Sequence, residues 1–353
     1  MTRFAGKKLL IAPLDWGLGH ATRCIPIIKD LIANNCNIWL AGEGAQEKLL
    51  RKEFPDLSFL PLKGYNIRFP GSGAAVKILF RVPKILRTIK DENTWLKEQV
   101  TKYDFDGVIS DNRYGLYHDK IFSVFIAHQL TIKSPFGKWS ESILQRWNYK
   151  FINRFNECWV PDEEGKDNLA GDLSHPEKLP GIPIKYIGAL SRFVPKDSYG
   201  ESIEGEEIKN HLLIILSGPE PQRSLLEEII INEIAHYNGS ATIVRGLPNE
   251  ESIIPSTNTI CFHNHLDSKS LNDEMNKASF VISRSGYSTI MDIIKLKKKS
   301  ILIPTPGQSE QEYLANYLSG KQIVFCVPQK DFSLQKALNG ANNFTFRFTD
   351  KTN

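Results

Sequence analysis

The chain has 353 residues, 41% of them hydrophobic and 24% charged, with a formal net charge of +4. That length exceeds a usual single domain of ~100–200 residues, and so mild a charge is too weak by itself to argue for a nucleic-acid partner. The cysteines, Cys24, Cys36, Cys158, Cys261 and Cys326, are scattered and never spaced C-x-x-C, which argues against a disulfide framework or a zinc site and fits a reducing cytoplasm. No run approaches the ~20 apolar residues of a membrane span, and the apolar run after Arg3, Lys7 and Lys8 is too short for a signal peptide.

Residues 8–12 read as a first strand running into Pro13-Leu14-Asp15-Trp16-Gly17-Leu18-Gly19-His20. A helix follows, with Ile25, Ile28, Leu31 and Ile32 on one face, then a strand at 37–41 and a turn at Gly42-Glu43-Gly44 into another helix. This is the βαβ start of a doubly wound sheet. Gly17 and Gly19 lie where such sheets bind ligands, but Thr22 stands where a dinucleotide fingerprint has its third glycine. Flexible glycines beside His20 suit a close substrate and a proton transfer, since imidazole titrates near neutrality. The competing reading of His20 is a helix N-terminus without chemistry.

Residues 61–74 are a Gly-, Pro- and aromatic-rich loop. Residues 76–100 form a long basic helical segment with Lys77, Arg81, Lys84, Arg87 and Lys90, which Pro83 is expected to split or kink. It reads either as a solvated face or as a face lying on an anionic membrane. Strands at 107–110 and 122–127 end at Asp111 and at His128-Gln129. Parallel strands end on one edge, so Asp111 and His128 are expected to share a cleft with His20. Residues 133–159 interleave Trp139, Trp147, Phe151 and Trp159 with Lys138, Arg146, Lys150 and Arg154, which fits either a helix packed on the sheet or a lipid or nucleic-acid surface. Polar residues 191–208 read as a linker.

A second βα series begins with a strand at 211–216, ending at Ser217-Gly218-Pro219, and a helix at 221–235. Strands follow at 242–245 and 259–262, then a helix at 269–277. Residues 280–282 form a strand, Ser283-Arg284-Ser285-Gly286 a turn, and Ile290, Ile293, Ile294 and Leu296 a helical face. A strand at 301–303 leads to Pro306-Gly307 and a capping box, Ser309 with Glu312. A last strand lies at 323–327, and the polar tail beyond Leu338 is expected to be loose. A Ser-Gly turn opening a helix offers backbone N–H groups to a phosphate. Asp292, six residues after Gly286, could then take ribose hydroxyls, and Gln308, Glu310 and Gln311 could meet a sugar. The plainer reading is that any βα unit has a polar turn before its helix.

The segments DWGLGHATRCIPIIKDL, IAHQLTI, LSGPEPQR and ISRSGYSTIMDIIKLKKKSILIPTPGQSEQEYLAN, in that order, resemble MurG-like enzymes of glycosyltransferase family 28. The resemblance spans almost the whole chain and is specific only from Arg284 to Gln311. It implies an α/β, GT-B fold: two Rossmann-like doubly wound parallel-sheet domains facing across a cleft. Residues 1–190 would bind the acceptor, 191–208 would link, 209–340 would bind the donor, and 341–353 would be a tail. It further implies an inverting transferase that needs no cofactor or bound metal and takes a sugar, typically from a UDP-sugar, to an acceptor hydroxyl, lipid-linked or on a cell-envelope glycan. Ser217, Gly218, Ser285, Gly286 and Thr289 would lie by the diphosphate; Arg284 or Arg223 could add charge there or be structural. Asp292 would take the ribose, where the family more often has Glu, and Gln308 and Gln311 the sugar. His20 or Asp15 would sit near the reacting hydroxyl, with Gly17, Gly19, Asp111 and His128 on the acceptor side. The expected setting is cytoplasmic, peripheral at the inner membrane face, with no nucleic-acid partner. The alternatives are a UDP-sugar epimerase of the same fold and a non-catalytic binder of nucleic acid or a membrane surface.

Overall fold

The computed structural model describes residues 2–65, 82–134, 137–195, 207–248 and 250–348. The chain divides into two compact units, Met1–Leu190 and Ser191–Asn353. No described helix is long and apolar enough to cross a membrane.

The first unit holds a seven-stranded parallel sheet. Its strands are β1 (Lys8–Pro13), β2 (Asn37–Gly42), β3 (Ser58–Pro61), β4 (Gly107–Asp111), β5 (Phe122–Ile126), β6 (Glu157–Val160) and β7 (Ile184–Tyr186), in the order 3-2-1-4-5-6-7. The described helices are α1 (Gly19–Ala33), α2 (Gly44–Glu53), α3 (Val82–Tyr103) and α4 (Lys138–Ile152). Leu9, Leu10, Ile11 and Ala12 are all fully buried, as expected of a central parallel strand covered on both faces. The chain winds outward from β1 in both directions, so the order reverses between β1 and β4. Such a reversal opens a crevice at the carboxyl ends of the strands.

The second unit repeats the plan with β8 (His211–Ile215), β9 (Ser240–Val244), β10 (Ile260–His263), β11 (Phe280–Ser283), β12 (Ser300–Leu302) and β13 (Phe325–Cys326), in the order 10-9-8-11-12-13. Its helices are α5 (Gln222–Ile234), α6 (Ser268–Lys277), α7 (Tyr287–Lys295), α8 (Ser309–Gly320) and α9 (Leu334–Asn342). Here the reversal lies between β8 and β11. Ile214, Ile230, Ile243, Ile282 and Ile301 meet in its core at 1% exposure or less.

Several expectations need correcting. Ile32 is 41% exposed, because α1 buries Ile27 beside Ile25, Ile28 and Leu31 instead. Pro83 sits in the first described turn of α3, where its missing N–H costs nothing; Lys77 and Arg81, and the part of the segment that a split at Pro83 would set off, lie outside the described residues. The N-cap of α8 is Gln308, not Ser309, and Glu312 reaches back to the Gly307 N–H at 2.9 Å. The tail beyond Leu338 is built into the unit as far as it is described. α9 buries Leu334, Ala337, Leu338 and Ala341, and Phe344 and Phe346 then pack on Phe325 and Phe280. Strands β3 and β7 and helix α9 had no expected counterpart.

Candidate active site

In the first unit β1, β4 and β5 are neighbours, so the turns at their carboxyl ends meet. Gly17, at φ 78°, turns the chain from β1 into α1 and needs the freedom of glycine to do so. The turn delivers His20 in the first turn of α1. Asp111 ends β4, fully buried, and His128 follows β5. Arg23, one helical turn beyond His20, joins all three. Its Nε donates to Asp111 Oδ2 at 2.7 Å, and its Nη2 donates to Oδ1. This is the two-pronged guanidinium–carboxylate geometry. Nη1 donates to His128 Nδ1 at 2.9 Å. His20 Nδ1 lies 3.0 Å from Asp111 Oδ1 and 2.9 Å from Arg23 Nη2.

Burial sets the charges of this cluster. It pushes the Asp111 carboxyl up, but Arg23 and His20 overcome it and hold that carboxyl well below its ordinary range. Burial and then the Arg23 charge lower the pKa of His20, which keeps its ring neutral. The Cys24 thiol, 3.5 Å from Asp111 Oδ2, is raised well above its ordinary value by burial and by that carboxylate, and stays a thiol.

A second layer holds the turn in place. Gln46 of α2 donates to the carbonyls of Leu14 and, at 3.1 Å, Gly17. Asp15 accepts the Tyr65 N–H at 2.9 Å, and a side chain at Gly64 would collide with it. Asp15 thus ties the turn to the backbone at Tyr65. Arg113, also fully buried, pairs with Glu92 at 2.7 Å and donates to the Pro13 carbonyl at 3.2 Å, behind the turn.

In the second unit β8, β11 and β12 are neighbours and bring three turns together. Gly218, at φ 103°, lies close enough that a Cβ there would stand 3.6 Å from the Thr305 hydroxyl. That hydroxyl is buried without a hydrogen-bond partner. α7 starts at the N-cap Gly286 with no side-chain cap, and Thr289 is its third residue. Arg284 is 1% exposed and donates only to backbone: to Ile303 O at 3.2 Å, Pro304 O at 3.3 Å and Gln222 O at 2.7 Å. No described carboxylate pairs with it, and burial lowers its pKa to about 10. Ser285 donates to the Gln311 carbonyl at 2.8 Å, while Gln311 Oε1 accepts the Thr305 N–H at 2.9 Å. Ser285 and Gln311 therefore lock the two turns to each other. Gln308 is half-buried at the head of α8. Asp292, half-buried on α7, accepts from the Ser191 hydroxyl at 2.6 Å. Burial raises its pKa to about 6, against the pull of Arg192 and Ser191.

The structure thus brings His20, Asp111 and His128 together in one unit, and Ser217, Gly218, Arg284, Ser285, Gly286, Gln308 and Gln311 in the other. Sequence reasoning missed Arg23, Gln46, Thr305 and Ser191. Only Arg23 carried a signal: the i, i+3 spacing from His20 puts both on one helix face. Among the described residues no group of three or more His, Cys, Asp or Glu side chains is placed to hold a metal.

Residues 262–349 match the glycosyltransferase family 28 C-terminal domain. Over 345 residues, 94% of this chain and 88% of the relative, the chain is 24% identical to a UDP-N-acetylglucosamine–N-acetylmuramyl-(pentapeptide) pyrophosphoryl-undecaprenol N-acetylglucosamine transferase of Actinobacillus pleuropneumoniae. Among solved structures, the glycosyltransferase SnogD from Streptomyces nogalater is similar at a TM-score of 0.62 and 11% identity, covering 95% of this chain and 90% of its own. MurG of Acinetobacter baumannii is similar at 0.53 and 11%, covering 96% and 91%. The chain is thus a glycosyltransferase with the GT-B fold, similar along most of its length to MurG-like enzymes and matching family 28 in its C-terminal residues.

Proposed function

We propose that this enzyme is an inverting, metal-independent transferase that moves a sugar from a UDP-sugar to the hydroxyl of a lipid-linked or cell-envelope acceptor. The observation that carries the reading is that the two clusters sit at the order reversals of their two sheets, where doubly wound folds take ligands. One cluster is suited to proton transfer and the other to an anion. The name of the curated relative, which prints a UDP-linked amino sugar, supports the choice of donor.

In this reading the donor diphosphate rests against Gly218 and the N-terminal N–H groups of α7. The uncompensated charge of Arg284 lies behind them. Asp292 accepts a ribose hydroxyl, and Gln308 is the better placed amide for the sugar, since Gln311 Oε1 is committed to Thr305. In the first unit His20 takes the acceptor proton through Nε2 as the acceptor oxygen bonds to the anomeric carbon. The bond from that carbon to the diphosphate oxygen breaks, and UDP leaves with the electron pair. A single displacement inverts the anomeric centre. Asp111 stabilises the imidazolium that forms.

A membrane-borne acceptor is favoured by α4. Trp139, Ile143 and Trp147, one turn apart, are 67%, 50% and 51% exposed, and Lys138, Arg146 and Lys150 are exposed beside them. Aromatic and basic residues on one helix face suit an anionic lipid surface, in keeping with an enzyme peripheral to the inner face of the membrane.

Calorimetric titration with UDP, GDP and dTDP tests the donor site. UDP is expected to bind best, and Asp292→Ala to weaken it. Absence of any nucleotide binding by the folded protein would overturn the reading. Incubation with UDP-sugars then separates transfer, which needs an acceptor, from epimerisation, which changes the donor without one.

A further inference from the structure

Arg23 plays no part in the reaction as written, yet it touches both histidines and the carboxylate. A guanidinium only donates hydrogen bonds. His128 Nδ1, 2.9 Å from Arg23 Nη1, must therefore present its lone pair, and a neutral His128 carries its proton on Nε2. His20 is the harder case, because its Nδ1 lies between a donor, Arg23 Nη2 at 2.9 Å, and an acceptor, Asp111 Oδ1 at 3.0 Å. If Nδ1 accepted from Arg23, a bare imine nitrogen would face an ionised carboxylate oxygen with no proton between them. If Nδ1 donates to Asp111, that oxygen receives two charge-assisted bonds, one for each lone pair. The second arrangement resolves the contact.

We propose that Arg23 is a positioning residue that fixes the two histidines in opposite tautomers, Nδ1–H on His20 and Nε2–H on His128. The inference rests on the proposed transfer for its purpose but not for its test. Its consequence is a division of labour. The outward nitrogen of His20 is a base, and that of His128 is a hydrogen-bond donor suited to an oxygen of the ligand. The groups facing His20 are Arg23 from α1, Asp111 from β4 and His128 after β5. Of these only Arg23 is a fixed cation, and it opposes protonation of His20.

Nitrogen-15 NMR reads tautomers directly. The full-length protein, labelled at its 8 histidines, would be assigned with His20→Gln and His128→Gln. The expected pattern is a protonated-type Nδ1 with a lone-pair-type Nε2 for His20, the form less populated in water, and the reverse for His128. The same tautomer on both rings, or a protonated Nε2 on His20, overturns the proposal. In Arg23→Gln the His20 titration midpoint should rise by roughly one unit, since a neighbouring cation is lost, while Arg23→Lys should restore most of it. A purely structural arginine would leave the midpoint unmoved in both. If Arg23→Gln fails to fold, the wild-type spectrum alone decides. UDP titration judges the transferase reading separately, so either idea can fail without the other.

Discussion

The two glycine turns of this molecule, 14–19 after β1 and 284–286 after β11, are the same supersecondary device with opposite side-chain arrangements, which the proposed function puts to different chemical uses. Each follows a buried central strand, opens a helix and lies at the reversal of its sheet. At the first turn the side chains face one another: His20, Arg23, Asp111 and His128 form a closed network of charge and proton positions. At the second the side chains turn to the backbone. Arg284 holds three carbonyls, Ser285 a fourth, and Gln311 an N–H. What the second turn presents outward is the uncapped head of a helix. In the proposed reading the first arrangement, with its polar groups paired laterally, serves proton transfer, and the second, with its polar groups bracing the main chain, seats an anion. The buried arginines sharpen the contrast. Arg113, behind the first turn, has Glu92 as counter-ion. Arg284, behind the second, has no described one, so its charge remains to act on a ligand.

The comparison breaks most visibly at His20. If the first turn does the proton chemistry, His20→Ala should lower the transfer rate by ~10²–10⁴-fold. UDP affinity should stay within about twofold, because the donor contacts lie elsewhere. A loss of UDP binding instead would mean that the two turns do not divide the work. Asp111→Asn should cost about 3–5 kcal/mol in urea unfolding, since it leaves the buried Arg23 charge without its partner; a loss under about 1 kcal/mol would mean that the network is not holding the fold. Arg284→Gln should act differently. It removes a desolvated cation along with its backbone bonds, so unfolding stability should change by only ~1 kcal/mol. UDP affinity should fall on the order of tenfold, about 1.4 kcal/mol. An unchanged affinity in titration calorimetry would reduce Arg284 to a brace.

How much of this was legible in the sequence differs between the two turns for a physical reason. The strands, and the fact that Asp111, His128 and His20 share an edge, follow from apolar runs and from the rule that parallel strands end together. Pattern reaches that far because it depends on chain direction alone. The partner choices do not follow from it. Nothing in the order of residues says that Asp15 would turn to the Tyr65 N–H, or that Ser285 and Gln311 would bond to each other's loops. Those contacts are set by packing between elements 26 to 50 residues apart. α9 was unreadable for a related reason. Its buried residues Leu334, Ala337, Leu338 and Ala341 do fall at helical spacing, but two of the four are alanines and Lys336, Asn339 and Gly340 lie between them, so the segment reads as polar.

The finest test of the second turn concerns Asp292. Burial lifts its pKa to about 6, against Arg192 and the Ser191 hydroxyl. A folded-state value above the unfolded one means that ionisation works against folding. This carboxyl therefore favours the folded state fully below its unfolded pKa of ~3.9 and loses that contribution as pH rises through about 6. Ligand binding runs the other way. A ribose hydroxyl donates to the ionised carboxylate, so the competent fraction grows as pH rises through the same window. Apparent affinity scales with that fraction, which predicts UDP binding about fourfold weaker at pH 5.5 than at pH 7.5. The terminal phosphate of UDP titrates over the same range, so the informative quantity is the difference between wild type and Asp292→Asn. The variant should lose about that fourfold of pH dependence and keep the ligand's own. Identical pH profiles for the two proteins would remove Asp292 from the ribose site and leave the Ser191 contact as its whole role.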